Sequence, residues 1–124
     1  MLSKSQVVKA RELVEKLYTG SCTVMEYQKY RKENRSTGNR EVVVLEGQPC
    51  RLSHYSSPSA GSSEIASSLE QSIKVYMAPE IVVKPGSKMV ITQNGVKETY
   101  QSSGKPAVYQ THQEVSLKLF EGWA

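Results

Sequence analysis

Apolar residues recur with a helical period only near the start of the chain, and with a two-residue period over most of the rest. From Ser5 to Tyr18 they fall at Val7, Val8, Ala10, Leu13, Val14 and Leu17. That spacing gathers them on one side of a helix, which Gly20 is expected to close. The other side carries Lys9, Glu12, Glu15 and Lys16. Packing of this helix on a sheet is the first expectation, and docking on a partner chain the second. Its mixed-sign polar side disfavours a membrane surface.

Alternation sets in at Ser21. Cys22 and Val24 oppose Thr23, Met25 and Tyr27, predicting a strand to Tyr30. Glu41 to Glu46 reads as a second strand and Pro49 to Ser53 as a short third, after a Gly47/Pro49 bend. Ile73 to Met77 and Ile81 to Lys84 follow, divided by Ala78-Pro79 and ended by Pro85-Gly86. The clearest signal is Asn94-Gly95, between two runs rich in β-branched and aromatic residues. Both positions tolerate positive φ, so a two-residue type I′ hairpin is predicted. It pairs Gln93 with Val96, Ile91 with Glu98 and Met89 with Tyr100. A last run, Ala107 to Phe120, alternates Val115, Leu117 and Leu119 against Ser116 and Lys118. A lone hairpin is marginal in water, so these pieces must share a sheet. The expected fold is mainly β: a small barrel or sandwich of six to eight short antiparallel strands with an N-terminal amphipathic helix and one long Ser-rich loop. One domain spans residues 1–124, with the helix in 1–20 and the barrel in 21–124.

Two stretches break the alternation. Lys29 to Arg40 holds Lys29, Arg31, Lys32, Arg35 and Arg40 against a single glutamate, with Gly38-Asn39 as a turn signal. A solvated basic tip and a contact with nucleic-acid phosphates are both open to it. Ser53 to Ser72 contains nine serines, with Ile65 and Leu69 as its anchors. It is expected to form a loop with one helical turn near Glu64 to Leu69, either an evolutionary remnant or a segment that gains order against other copies of the chain.

Charge sharpens the picture. Residues 1–40 hold nine Lys/Arg against four Glu, while the remainder holds seven against eight, so the net +4 belongs to the N-terminal third. There is no Asp, which excludes Asp-dependent triads and Asp-rich calcium or magnesium loops. Cys22, Cys50, His54 and His112 lack the short spacings of structural zinc sites. His112, in Tyr109-Gln-Thr-His-Gln-Glu114, reads as a hydrogen-bonding group at a strand edge, and Tyr76, Tyr100 and Tyr109 read as packing groups. No nucleophile elbow, phosphate loop or spaced carboxylate pair accompanies these residues, so neither enzymatic activity nor a cofactor is expected. No apolar run is long enough to span a bilayer, and Met1 to Gln6 lacks the apolar core of a secretory signal, so a cytoplasmic start and two free thiols are expected.

Three phrases carry a family resemblance: Gly47-Gln-Pro-Cys-Arg-Leu-Ser53, Pro85-Gly-Ser-Lys-Met-Val-Ile-Thr-Gln-Asn-Gly95 and Ser103-Gly-Lys-Pro-Ala-Val-Tyr-Gln-Thr-His-Gln-Glu114. From about Cys22 onward the chain resembles head closure, or head-tail connector (minor capsid), proteins of tailed phages and prophages of Gram-positive bacteria. The resemblance implies a small β-barrel in a homo-oligomeric ring in the virion neck, between portal or adaptor and tail-terminator proteins, around the channel for double-stranded DNA. On that footing Ser57, Pro58, Gly61, Ser62, Ser63, Ile65 and Leu69 would line or gate the lumen. Arg31, Lys32, Arg35 and Arg40 would meet an adjacent ring or passing DNA. Deleting Gly61 to Ser68 should then leave the monomer folded but the heads leaking; full DNA retention would refute gating. The competing expectations are another neck component, a tail-completion or adaptor protein, and a barrel for single-stranded nucleic acid.

Overall fold

The structure is a computed structural model that describes residues 3–33, 36–58 and 69–123. Helix α1 (Lys4–Glu15) starts at a reciprocal cap: Ser3 Oγ accepts from the Gln6 N–H at 3.3 Å, and Gln6 Oε1 accepts from the Ser3 N–H at 2.9 Å. The helix ends before Gly20. Lys16 is its cap, the Leu17 and Tyr18 N–H groups tighten the last turn onto Val14 and Glu15, and Gly20 opens the first strand instead. Glycine is needed there for close approach, because a Cβ would lie 3.0 Å from Gln93 Oε1 and 3.1 Å from the Cys50 carbonyl oxygen.

Among the described residues seven strands follow: β1 (Gly20–Arg31), β2 (Thr37–Pro58), β3 (Leu69–Met77), β4 (Lys88–Gln93), β5 (Val96–Ser102), β6 (Ala107–Val108) and β7 (Gln113–Leu119). All pair antiparallel in the order β3-β2-β1-β4-β5-β7-β6, and β3 also pairs with β7. Six strands thus close into a ring, with β6 attached to the rim of β7. The mainly β class holds, and the strand edges are consumed by closure rather than by stacking a second sheet.

Alternation explains the core. Cys22 and Val24 of β1, Cys50 of β2, Val75 and Met77 of β3, Met89 and Ile91 of β4, Tyr100 of β5, and Val115 and Leu117 of β7 form one buried cluster inside the ring, joined by Val83 from the segment before β4. The Asn94-Gly95 hairpin has the expected register, Gln93↔Val96, Ile91↔Glu98 and Met89↔Tyr100, with φ of 53° and 78° at the turn.

Four expectations are corrected. Glu41 to Glu46 and Pro49 to Ser53 are not separate short strands but parts of the 22-residue β2. Gly47, at φ 65°, sits at a bulge where the β1 register shifts, so the ladder bends without breaking. Ser53 to Ser72 is not a loop throughout: Ser53–Pro58 pairs with Leu69–Lys74, and Leu69 belongs to a strand rather than a helical turn. Ile81 to Lys84 is not a strand, for its place is fixed by a side chain described below. Ala107 to Phe120 is two strands, because the Tyr109 N–H bonds the His112 carbonyl and turns the chain.

Candidate functional site

β2 organises what projects from the ring. Its first part pairs with β1 from Thr37 to Cys50 and its last part with β3 from Arg51 to Pro58, so a hairpin arm extends from each end of the same strand.

In the β1–β2 arm, β4 stops pairing at Met25, and beyond that point β1 has only β2 beside it. Lys29, Arg31, Lys32 and Arg40 are all exposed on this ribbon; Arg35 lies outside the described residues. The Arg40 guanidinium sits 5.1 Å from the centre of the Tyr30 ring. At the arm's root the carboxylates are already occupied: Glu26 faces Lys84 at 3.8 Å and Glu41 faces Lys88 at 2.7 Å. The Lys88 ammonium and the Trp123 indole, which donates to Glu41 Oε1 at 3.2 Å, hold the Glu41 carboxyl below the usual range. Trp123 stacks on Tyr27 at 5.0 Å and 8°, and meets the Phe120 ring edge-on at 5.2 Å. The C-terminal segment therefore braces the root of the arm. Sequence reasoning missed it, because Trp123 stands outside every periodic run.

The second arm carries the serine-rich stretch. Ser57, Pro58 and Leu69 lie in its paired strands, with Pro58 opposite Leu69. Gly61, Ser62, Ser63 and Ile65, named as lumen or gating residues, lie outside the described residues. The described residues of the two candidate stretches thus fall on different arms, and the hairpin turn Asn94, Gly95, between β4 and β5, belongs to neither.

Gln93, just before that turn, ties the hairpin to β2. Its side-chain oxygen accepts from the Leu52 N–H at 2.7 Å and its amide nitrogen donates to the Leu52 carbonyl at 3.1 Å, as a neighbouring peptide group would. Gln113, 1% exposed, does the same for residues 78–81: its amide nitrogen donates to the carbonyls of both Ala78 and Ile81. No sequence pattern marks either glutamine for this role.

His112 sits in a polar row. Thr111 Oγ1 lies 3.0 Å from Nδ1, Glu114 Oε2 lies 3.2 Å from Nε2, and Lys74 pairs with the other Glu114 oxygen at 3.4 Å. Its ring stacks on Tyr109 at 5.0 Å. The strand-edge hydrogen-bonding role expected of His112 matches this geometry. Tyr100 packs in the core as expected, whereas Tyr109 is exposed. His54 stands elsewhere, exposed on β2, and the two cysteines are buried free thiols. Cys22 is held protonated well above its ordinary range by its hydrogen bond with Cys50 and by burial.

Helix α1 is an attachment of the ring rather than part of its core. None of its residues is buried, and Val8, Leu13 and, just past its end, Leu17 are 54%, 65% and 51% exposed. Arg11 ties it to Glu80 at 3.0 Å. The expectation of a helix packed on the sheet is met only by the half-buried stripe Val7, Ala10, Val14 and Tyr18.

These features define a small antiparallel protein whose strands close on themselves and whose hairpins and helix extend beyond the ring. A solved structure with the same architecture is that of the phage-like element PBSX protein xkdH from Bacillus subtilis. It is similar over 82% of this chain and 93% of that chain, with a TM-score of 0.51 and 10% sequence identity. At that identity the likeness is one of fold. No protein-family model matches the sequence, and no curated protein does.

Proposed function

We propose that the chain is a structural component of the phage neck: a head closure protein that assembles with copies of itself between the portal or adaptor and the tail, helps retain DNA and gives the tail a docking surface. The observation that carries the reading is one strand, β2, with a hairpin arm at each end, on a fold shared with a protein of a phage-like element. A subunit between two tiers must present separate contacts to each, and arms at opposite ends of a strand supply them. The arms also differ in chemistry, one basic and one rich in serine. The work proposed is assembly rather than bond-making. The polar groups support that, since His112 is engaged by its sequence neighbours and the carboxylates at the arm root are engaged by lysines. The predominance of strand favours this reading over a helical adaptor.

The test is an electron-microscopy map of intact virions from a phage encoding the chain, with a knockout beside it. The reading expects density for the fold between portal and tail, and heads without the protein that lose DNA and fail to join tails. Knockout particles with full genomes and attached tails would overturn it.

A further inference from the structure

We infer that the β1–β2 arm grips the phosphate backbone of duplex DNA with cations on both of its faces, without reading base sequence. The inference deepens the neck reading, which supplies the place where DNA is met, but its chemistry stands on the arm alone.

Opposed residues of an antiparallel ribbon share a face, and successive ones alternate. The register Gln28↔Arg40, Lys29↔Asn39, Tyr30↔Gly38 and Arg31↔Thr37 therefore puts Lys29 and Arg31 on one face and Arg40 on the other. Lys32 joins Arg40: a Cβ on Gly38 would lie 2.6 Å from Lys32 Cε and 3.1 Å from the Tyr30 ring, so the absence of a side chain at Gly38 leaves room on that face for both Lys32 and Tyr30. Among the described residues none of these four cations has a carboxylate partner, because Glu26 and Glu41 at the root are taken by Lys84 and Lys88, and Glu33 at the tip makes no ion pair. Among its described residues the arm is thus a two-stranded ribbon with two cations on each face that have no carboxylate partner.

A protein partner would want an apolar centre. Beyond Tyr27, itself stacked under Trp123, the large ring on the ribbon is Tyr30, and Arg40 covers it. Val43 and Val44, exposed on β2, lie at the root where β4 still flanks β1 and not among the cations beyond it, and lysine and arginine there suit phosphates. A two-stranded ribbon is also a shape the major groove admits, and charges on both faces then reach both phosphate strands.

The test uses the purified full-length chain and fluorescein-labelled duplexes of two unrelated sequences, titrated by anisotropy over a series of NaCl concentrations. Four phosphate contacts give a log K against log [salt] slope of about −3 to −4 per subunit, equal for both duplexes. Arg31→Ala, Lys32→Ala and Arg40→Ala should each flatten that slope by about 0.9. Lys97→Ala, an exposed cation off the arm, should leave it unchanged, with far-UV circular dichroism confirming the fold of every variant. Absence of binding at the lowest salt, a wild-type slope in the variant carrying all three arm substitutions, or a preference between the duplexes would overturn the inference. If the chain fails to bind DNA yet occupies the neck, the arm meets an acidic protein surface and the neck reading stands. If it binds as described but is missing from particles, the neck reading falls and this one survives.

Discussion

Replacing Gln113 with leucine tests whether one amide holds the segment before β4 in place. Its nitrogen serves two carbonyls, Ala78 and Ile81, in a setting where Gln113 is 1% and Ala78 8% exposed. Leucine keeps most of the volume and the backbone pairing with Met77 and Val108. What it removes is the donor: the half-buried Ile81 carbonyl loses its bond from Gln113, while the Ala78 carbonyl keeps only the Ile81 N–H at 3.3 Å. A buried polar group left unsatisfied costs about 1–3 kcal/mol, and with Ala78 still holding one donor the expected loss is about 1–3 kcal/mol, within what a domain with about 5–15 kcal/mol of stability survives. Urea unfolding followed by circular dichroism reads it directly. With a slope of about 1–3 kcal/mol per molar urea, the midpoint should fall by on the order of 1 M at unchanged slope.

Gln113→Glu separates hydrogen bonding from shape. A carboxylate there would face two carbonyl oxygens without a donor, so its folded-state pKa must rise above the unfolded one. The variant should therefore be most stable at pH below the ordinary glutamate range and lose stability as pH rises through the folded value. Gln93→Ala, at a half-buried site with water nearer Leu52, should cost less, about 1 kcal/mol. A Gln113→Leu protein within about 0.5 kcal/mol of wild type would refute the amide's role, since half a kilocalorie is an ordinary surface effect.

The other predictions are independent of that one. Gly95→Ala, at φ 78°, should cost about 1–2 kcal/mol in urea unfolding, and an unchanged midpoint would mean the turn relaxes to another type. Because Lys88 and Trp123 depress the Glu41 carboxyl, its contact contributes at pH above the ordinary carboxylate range and is lost as pH falls through the lower folded value. Fluorescence of the single tryptophan should accordingly change only at pH below the ordinary carboxylate range, and sooner on acidification in Lys88→Ala; a transition near neutrality would contradict the brace. Cys22 and Cys50, both 0% exposed, should resist Ellman's reagent in the native protein and react on unfolding; prompt native labelling would mean the ring opens at that seam. Amides of α1 should exchange with solvent far faster than those of Met89 to Ile91, and equal protection would show that the helix is part of the core.

What could be read from the sequence follows a physical line. The Asn94-Gly95 hairpin and its register were legible because the positive φ values confine the residue choice at two adjacent positions. The core faces of β1 and β7 were legible because burial on one side enforces alternation, as in Cys22/Val24 and Val115/Leu117. β2 was not, since Gly47 and Pro49 usually end strands. Here the glycine supplies a bulge, and Pro49 lies where β2 has a strand neighbour on one side only, so its missing N–H is tolerated. The serines from Ser53 onward disguised a strand because ladder bonds are made by backbone, and β3 is anchored by Val75 and Met77 further along. Ile81-Val-Val83 has strand composition, yet only Val83 is buried, as a single plug, while Val82 is 78% exposed. Of the candidate site, the basic residues were visible as a charge run, but their division between two faces required the register.

The distribution of stability separates the frame from its appendages. Every member of the buried cluster lies inside the strand ring or plugs it, and none belongs to α1 or to either arm beyond the ring. A twelve-residue helix with no buried side chain sits at the margin of stability in water, and so does a two-stranded ribbon without a third neighbour. Selection for the isolated chain alone would be expected to shorten such parts or cover them. Instead the root of the basic arm is reinforced by the Tyr27–Trp123 stack and the Lys88–Glu41 pair, which stiffen its base while leaving its charges uncovered. Reinforcement at the base and exposure at the tip is the arrangement of a lever held ready for a second body. In the neck reading that body is the DNA or tier that the arm meets, and the ordering energy missing from the isolated chain is recovered when the contact forms.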